Sequence, residues 1–156
     1  MLNQIGNYSL YIALLSSILI IIQSPILLNR NNINVSGRIF SLISIQSLMI
    51  IISFIALIIA FIISDFSNET VYNNSHTSKP LFYKISGTWG NHEGSLLLWL
   101  LVLSIFLLIF TITSKNLSNK YRILTLFFQE LIILGFLLFI LFTSNPFMSL
   151  FPIPKE

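Results

Sequence analysis

Four long apolar runs leave this chain few folds to choose from. They extend from about Tyr8 to Leu28, Ile39 to Ile63, Ser95 to Thr113 and Ile123 to about Ser144. Coiled at about 1.5 Å per residue, they measure roughly 28 to 37 Å, enough to cross a hydrocarbon core of about 30 Å. Lipid offers no hydrogen bonds, so each run must satisfy its own backbone, which a helix does. The expected fold is therefore all-α: one membrane domain, residues 1–156, with four transmembrane helices. Composition agrees, with 55% hydrophobic and 8% charged residues, where soluble domains carry about a quarter charged.

The linkers set the topology. The first run lacks a basic leader and a small-residue cleavage site, and reads as a retained helix. Pro25 falls in its last turn, where a kink or stop costs least. Asn29 to Arg38 and Ser114 to Arg122 are short polar loops that together carry Arg30, Arg38, Lys115, Lys120 and Arg122 and no acid. Residues 65–91 form the one long hydrophilic loop, and the tail Asn145–Glu156, with Pro146, Pro152 and Pro154, is expected to stay extended. The positive-inside rule places the short loops in the cytoplasm or matrix. Both termini and the long loop then face the periplasm or intermembrane space.

The polar residues of this oily chain converge on Lys84 to Trp99, which contains Trp89, His92, Glu93, Trp99 and the glycines Gly87, Gly90 and Gly94. Asn91 is placed to cap the helix that starts there, and Glu93 suits its positive N-terminal end. His-Glu-Gly-Ser-Leu is not a zinc-hydrolase His-Glu-x-x-His, because Leu96 stands where the second histidine belongs. With no cysteine in the chain, thiolate metal sites, disulfides and a Cys-x-x-Cys-His haem attachment are excluded. Scattered basic residues without interleaved aromatics give no nucleic-acid surface.

Three blocks resemble the beginning of the CcmF family, the haem-lyase component of cytochrome c maturation. They are Ile5-Gly-Asn-Tyr-Ser-Leu, the stretch from Val71-Tyr-Asn-Asn-Ser through Leu81-Phe-Tyr-Lys to Trp89-Gly-Asn-His-Glu-Gly-Ser-Leu-Leu-Leu-Trp, and Gly135 to Phe147. The resemblance covers essentially the whole chain. It implies a membrane component that handles haem at the outer face for ligation to apocytochrome c, in a complex with other cytochrome c maturation proteins and membrane lipid. The family's Trp-rich haem motif and ligand histidines have no match here. The chain therefore resembles the N-terminal part of a split protein, working with the remaining CcmF-like fragment. The complete complex would hold haem b, not ligated by this chain, which alone is expected to bind no haem and ligate nothing. An abundance of Ile, Asn, Phe and Ser fits an A+T-rich genome, hence a mitochondrial inner membrane, or otherwise a bacterial inner membrane.

For the individual residues two readings stay open. His92 and Glu93 form either a well-capped helix start or a point of contact; on a helix, His92, Leu96 and Trp99 share a face, which would lie against a haem edge or the partner fragment. Trp89 and Trp99 are either interfacial anchors or a stacking surface for a porphyrin. His76 lies in a polar loop and reads as solvated. Glu130 lies deep in the fourth run, where a bare charge costs about 2.5–3.5 kcal/mol; it must be neutral, paired or turned into the bundle, and reads as a helix-contact residue. Two other functions compete. A small structural subunit of a respiratory complex should carry several ionisable residues at membrane depth, and only Glu130 qualifies. A transporter half should show paired interrupted spans, which are absent.

Overall fold

The computed structural model describes residues 1–28 and 37–152. Most of the loop expected over Asn29 to Arg38, with Arg30, lies outside the described residues, as do Pro154, Lys155 and Glu156. Four long helices are present: α1 (Leu2–Leu28), α2 (Arg38–Ile63), α5 (His92–Thr113) and α6 (Asn119–Phe142). Two short ones, α3 (Glu69–Asn74) and α4 (Leu81–Gly87), occupy the hydrophilic stretch between α2 and α5. All four long helices are apolar and long enough to cross a membrane. The protein is an integral membrane protein of the all-α class.

The helices alternate in direction and close a ring in which α1 touches α2 and α6, and α5 touches α2 and α6. What faces inward is not what is most apolar. The buried residues of α1 are Asn3, Gly6, Ser9, Leu10, Ala13, Ser16, Ser17, Ile20 and Ser24, many of them small, at helical spacing. Opposite them α2 buries Ser53, Ala56 and Ala60, and small side chains let helix backbones approach closely. Larger residues point outward from the bundle, among them Leu15, Ile22, Trp99, Phe106 and Phe142. Several hydroxyls among the helices bond nearby carbonyls, as in Ser24 to Ile20 and Thr111 to Leu107, both 2.7 Å, whereas those of Ser17 and Ser53 have no partner among the described residues. Ser47 reaches across to the Ser104 carbonyl of α5 at 3.2 Å.

One expectation is corrected. Arg122 does not belong to a loop: a 3-10 turn (Ser114–Asn116) leads almost directly into α6, and Arg122 is buried at its start. The described part of the tail stays non-helical as expected, and it is tied to the bundle. Phe147 inserts between the helix ends, 2% exposed, and a methyl group on Gly6 would overlap its ring. The backbone of Met148 to Leu150 pairs with Ser67 and Glu69: Glu69 N–H donates to Met148 and Leu150 N–H to Ser67, each at 2.9 Å. Both ends of the described chain therefore lie at the same end of the bundle as α3 and α4.

Candidate functional site

That polar end is built around Asn68. It is fully buried, and its Oδ1 accepts from the backbone of Val71 at 3.0 Å, capping α3. Its Nδ2 donates to Asn3 Oδ1 at 2.8 Å and to the Pro146 carbonyl at 2.9 Å. Asn3 in turn donates to Ser149 Oγ at 3.0 Å, and Asn145 donates to Asn7 at 2.9 Å. The start of α1, the link into α3 and the tail are thus one hydrogen-bonded unit. The three blocks that carry the family resemblance meet here, although they are far apart in the chain.

The Lys84–Trp99 stretch abuts this unit. Asn91 caps α5: its Oδ1 accepts from Gly94 N–H at 2.7 Å, while its Nδ2 donates to the Gly87 carbonyl at 2.8 Å. The Thr88 carbonyl lies so close over α5 that a methyl group on Gly94 would overlap it. A glycine is needed there for lack of space. The cap and this contact fix where His92 and Glu93 point.

They point to different places. His92 is exposed, with Nδ1 at 2.9 Å from Ser144 Oγ at the end of α6. Its ring meets Phe139 edge-on at 6.5 Å between centroids. Below Phe139, an apolar groove of about 370 Å³ runs between α5 and α6, lined by Leu96, Leu131, Ile132, Gly135, Phe136 and Phe139. Glu93 instead lines a polar pocket of about 230 Å³, facing Glu69 beside Asn73, Ser144 and Asn145. Leu96 thus lines the groove, His92 touches its edge only through Phe139, and Glu93 lines the polar pocket that also holds Ser144. Trp89 and Trp99 line neither; they are 41% and 61% exposed. His76 is also exposed, bonded through Nδ1 to Ser78 Oγ at 2.9 Å. No group of three or more His, Asp or Glu side chains suited to a metal occurs among the described residues.

Sequence reasoning missed Asn3, Asn68, Asn145 and Ser144. Only Asn68 carried a local signal, as an asparagine preceding a short helix; the others act on partners remote in sequence. Glu130 was placed correctly as a contact residue, but its partner is internal: Gln46 of α2.

No family profile matches the chain. Individual proteins do. It is 38% identical over 156 residues to the cytochrome c-type biogenesis protein CycK of Rhizobium meliloti, covering 100% of this chain and 23% of the relative. It is 36% identical over 154 residues to CcmF of Escherichia coli, covering 97% of this chain and 24% of the relative. A solved structure named cytochrome c heme lyase CcmF superposes with a TM-score of 0.88 at 25% identity, over 96% of this chain and 25% of the other. The fold defines a polytopic membrane protein, and the relatives that share it are named for cytochrome c-type biogenesis. The chain belongs to the CcmF family, and it spans about a quarter of the length of the curated relatives it matches.

Proposed function

We propose that this chain supplies the N-terminal helices of a CcmF-like haem-lyase component and acts in cytochrome c maturation together with the remaining family helices. The observation that carries this reading is the likeness along nearly the whole chain, in sequence and in fold, to proteins named for cytochrome c biogenesis and haem lyase. Its partners in this reading are the remaining CcmF-like part, other maturation proteins and apocytochrome c. Its place is a mitochondrial or bacterial inner membrane, with the polar end towards the intermembrane space or periplasm, as the basic loops at the opposite end support.

The side chains of this chain suit the rim of a haem site and do not make a ligand pair. His76 is engaged by Ser78 in an exposed loop. His92 is held through Nδ1 by Ser144, which leaves Nε2 without a partner among the described residues. One imidazole cannot bracket a haem, and there is no cysteine to receive a vinyl group. What His92 and the groove beneath it offer is an apolar wall with a single polar group at its mouth, suited to the edge of a porphyrin substrate or to a helix of the remaining family part. Asn91 and Gly94 hold that wall in register.

The test is to express the chain in membranes alone and with the remaining family part, and to record reduced-minus-oxidised spectra and mature c-type cytochrome. The expected result is a b-type signal and cytochrome maturation only when both parts are present. Stoichiometric haem on the chain alone overturns the assignment of ligands outside it, and maturation that proceeds without the chain overturns the function.

A further inference from the structure

The opposite, basic end of the bundle holds a buried cation that the haem reading does not use. Arg122 is 7% exposed. Its Nε donates to Ser114 Oγ at 3.1 Å and its Nη2 to the Thr111 carbonyl at 3.2 Å. Both acceptors are neutral, and the Nη1 amino group has no partner among the described residues. A guanidinium taken out of water calls for a counter-charge, and none of the described acids lies at this end. Of its five acids, Asp65, Glu69 and Glu93 lie at the polar end, beyond the length of the helices. Glu130 is two turns further along α6 and bonded to Gln46, and Glu156 lies outside the described residues.

A cavity of about 360 Å³ opens beside Arg122. Lys115 joins Arg122 at its polar side, and Ile39, Phe40, Ile112 and Leu126 form its apolar side. Phe40 and Ile112 are 41% and 47% exposed, on helices that cross the membrane, so the cavity opens sideways towards lipid. Two cations over an apolar slot match one occupant at this depth: a phosphate with a hydrocarbon chain attached.

We propose that this cavity binds an anionic phospholipid, with Arg122 and Lys115 on the phosphate and an acyl chain along Ile39, Phe40, Ile112 and Leu126. The site ties α2, α5 and α6 together through a ligand and anchors the basic end at the headgroup level. It depends on the membrane fold and not on the haem reading.

Native mass spectrometry of the full chain, exchanged between phosphatidylglycerol and phosphatidylcholine micelles, tests it. The expected result is one tightly retained phosphatidylglycerol, preferred over phosphatidylcholine by about tenfold, the scale of one charge-assisted hydrogen bond. Arg122→Gln and Lys115→Gln should each lower that preference, while Lys120→Gln, on the exposed surface, should not. Because Arg122→Gln also removes bonds to Ser114 and Thr111, Ile112→Trp serves as a second variant: it fills the slot, keeps both cations and should expel the lipid. Millimolar inorganic phosphate should fail to displace it. Equal retention of the two lipids, lipid retention unchanged in Lys115→Gln and Ile112→Trp, or displacement by inorganic phosphate alone would each overturn the proposal.

Discussion

Gln46 Nε2 donates a hydrogen bond of 2.6 Å to Oε1 of Glu130, 84 residues further along the chain. Both side chains are fully buried, Gln46 on α2 and Glu130 on α6. These helices are not neighbours in the ring, so the bond crosses the centre of the bundle. Ser17 of α1 approaches the same carboxyl, yet its hydroxyl closes no hydrogen bond, and Gln46 Oε1 and Glu130 Oε2 are also unpartnered. Three helices so contribute one polar group each to the buried centre, where an unmatched polar group is costly.

The first prediction follows from that asymmetry. Gln46→Leu strands the Glu130 carboxyl, and Glu130→Leu strands the Gln46 amide; each should destabilise by about 1–3 kcal/mol. The double replacement removes both stranded groups and should cost less than the sum, with a coupling of about 0.5–3 kcal/mol. Thermal unfolding of the four proteins in one detergent measures it. Strict additivity would show that the bond carries no energy.

Two glycines should behave unlike a third. Gly94→Ala drives a methyl group into the Thr88 carbonyl, and Gly6→Ala drives one into the Phe147 ring. Each should destabilise by about 1–3 kcal/mol, the usual cost of overpacking. Gly135→Ala meets open space and should be tolerated or mildly stabilising, since alanine is the better helix former by about 1 kcal/mol. Melting temperatures of the three variants separate the cases.

Asn68→Ala removes the cap of α3 and the link from α3 to Asn3 and Pro146. Losing several buried hydrogen bonds should cost about 2–5 kcal/mol and should release the tail. Hydrogen exchange at Met148 and Leu150 is the readout: their amides should lose protection in Asn68→Ala while the centre of α5 keeps its own.

His92→Ala should lower the yield of mature c-type cytochrome several-fold in cells that carry the whole assembly, with the b-type haem of the assembly retained. Ser144→Ala, which frees the same ring from its 2.9 Å contact, should show a weaker form of the defect. Disappearance of the b-type absorbance in His92→Ala would make the residue a ligand instead.

Orientation is open to a direct measurement because the chain has no cysteine. Single cysteines at Ser78 and Ser118 occupy opposite ends of the bundle and should react with an impermeant thiol reagent from opposite sides. Ser78→Cys is expected to label from the periplasmic or intermembrane-space side. The reverse pattern would invert the topology.

The sequence by itself determined the four helices, because an apolar run of membrane length has no other way to satisfy its backbone. It also determined the cap at Asn91, whose partner Gly94 is three residues away, and the family, because the blocks around Gly6, His92 and Phe147 are read as strings. It did not determine which side of each helix faces inward. Lipid and protein interior are equally apolar, so the periodicity that marks the buried face of a soluble helix is weak here, and the small residues of α1 and α2 became legible as an interface only once the helices were docked. Arg122 reads as a loop residue until the short 3-10 turn brings α6 forward to bury it. Tertiary structure alone decided that Glu130 meets Gln46, that Asn68 gathers Asn3 and Pro146, and that His92 rests on Ser144. Each of these bonds joins residues at least 52 positions apart, and pairings at that separation are fixed by how the helices pack, which no local pattern encodes.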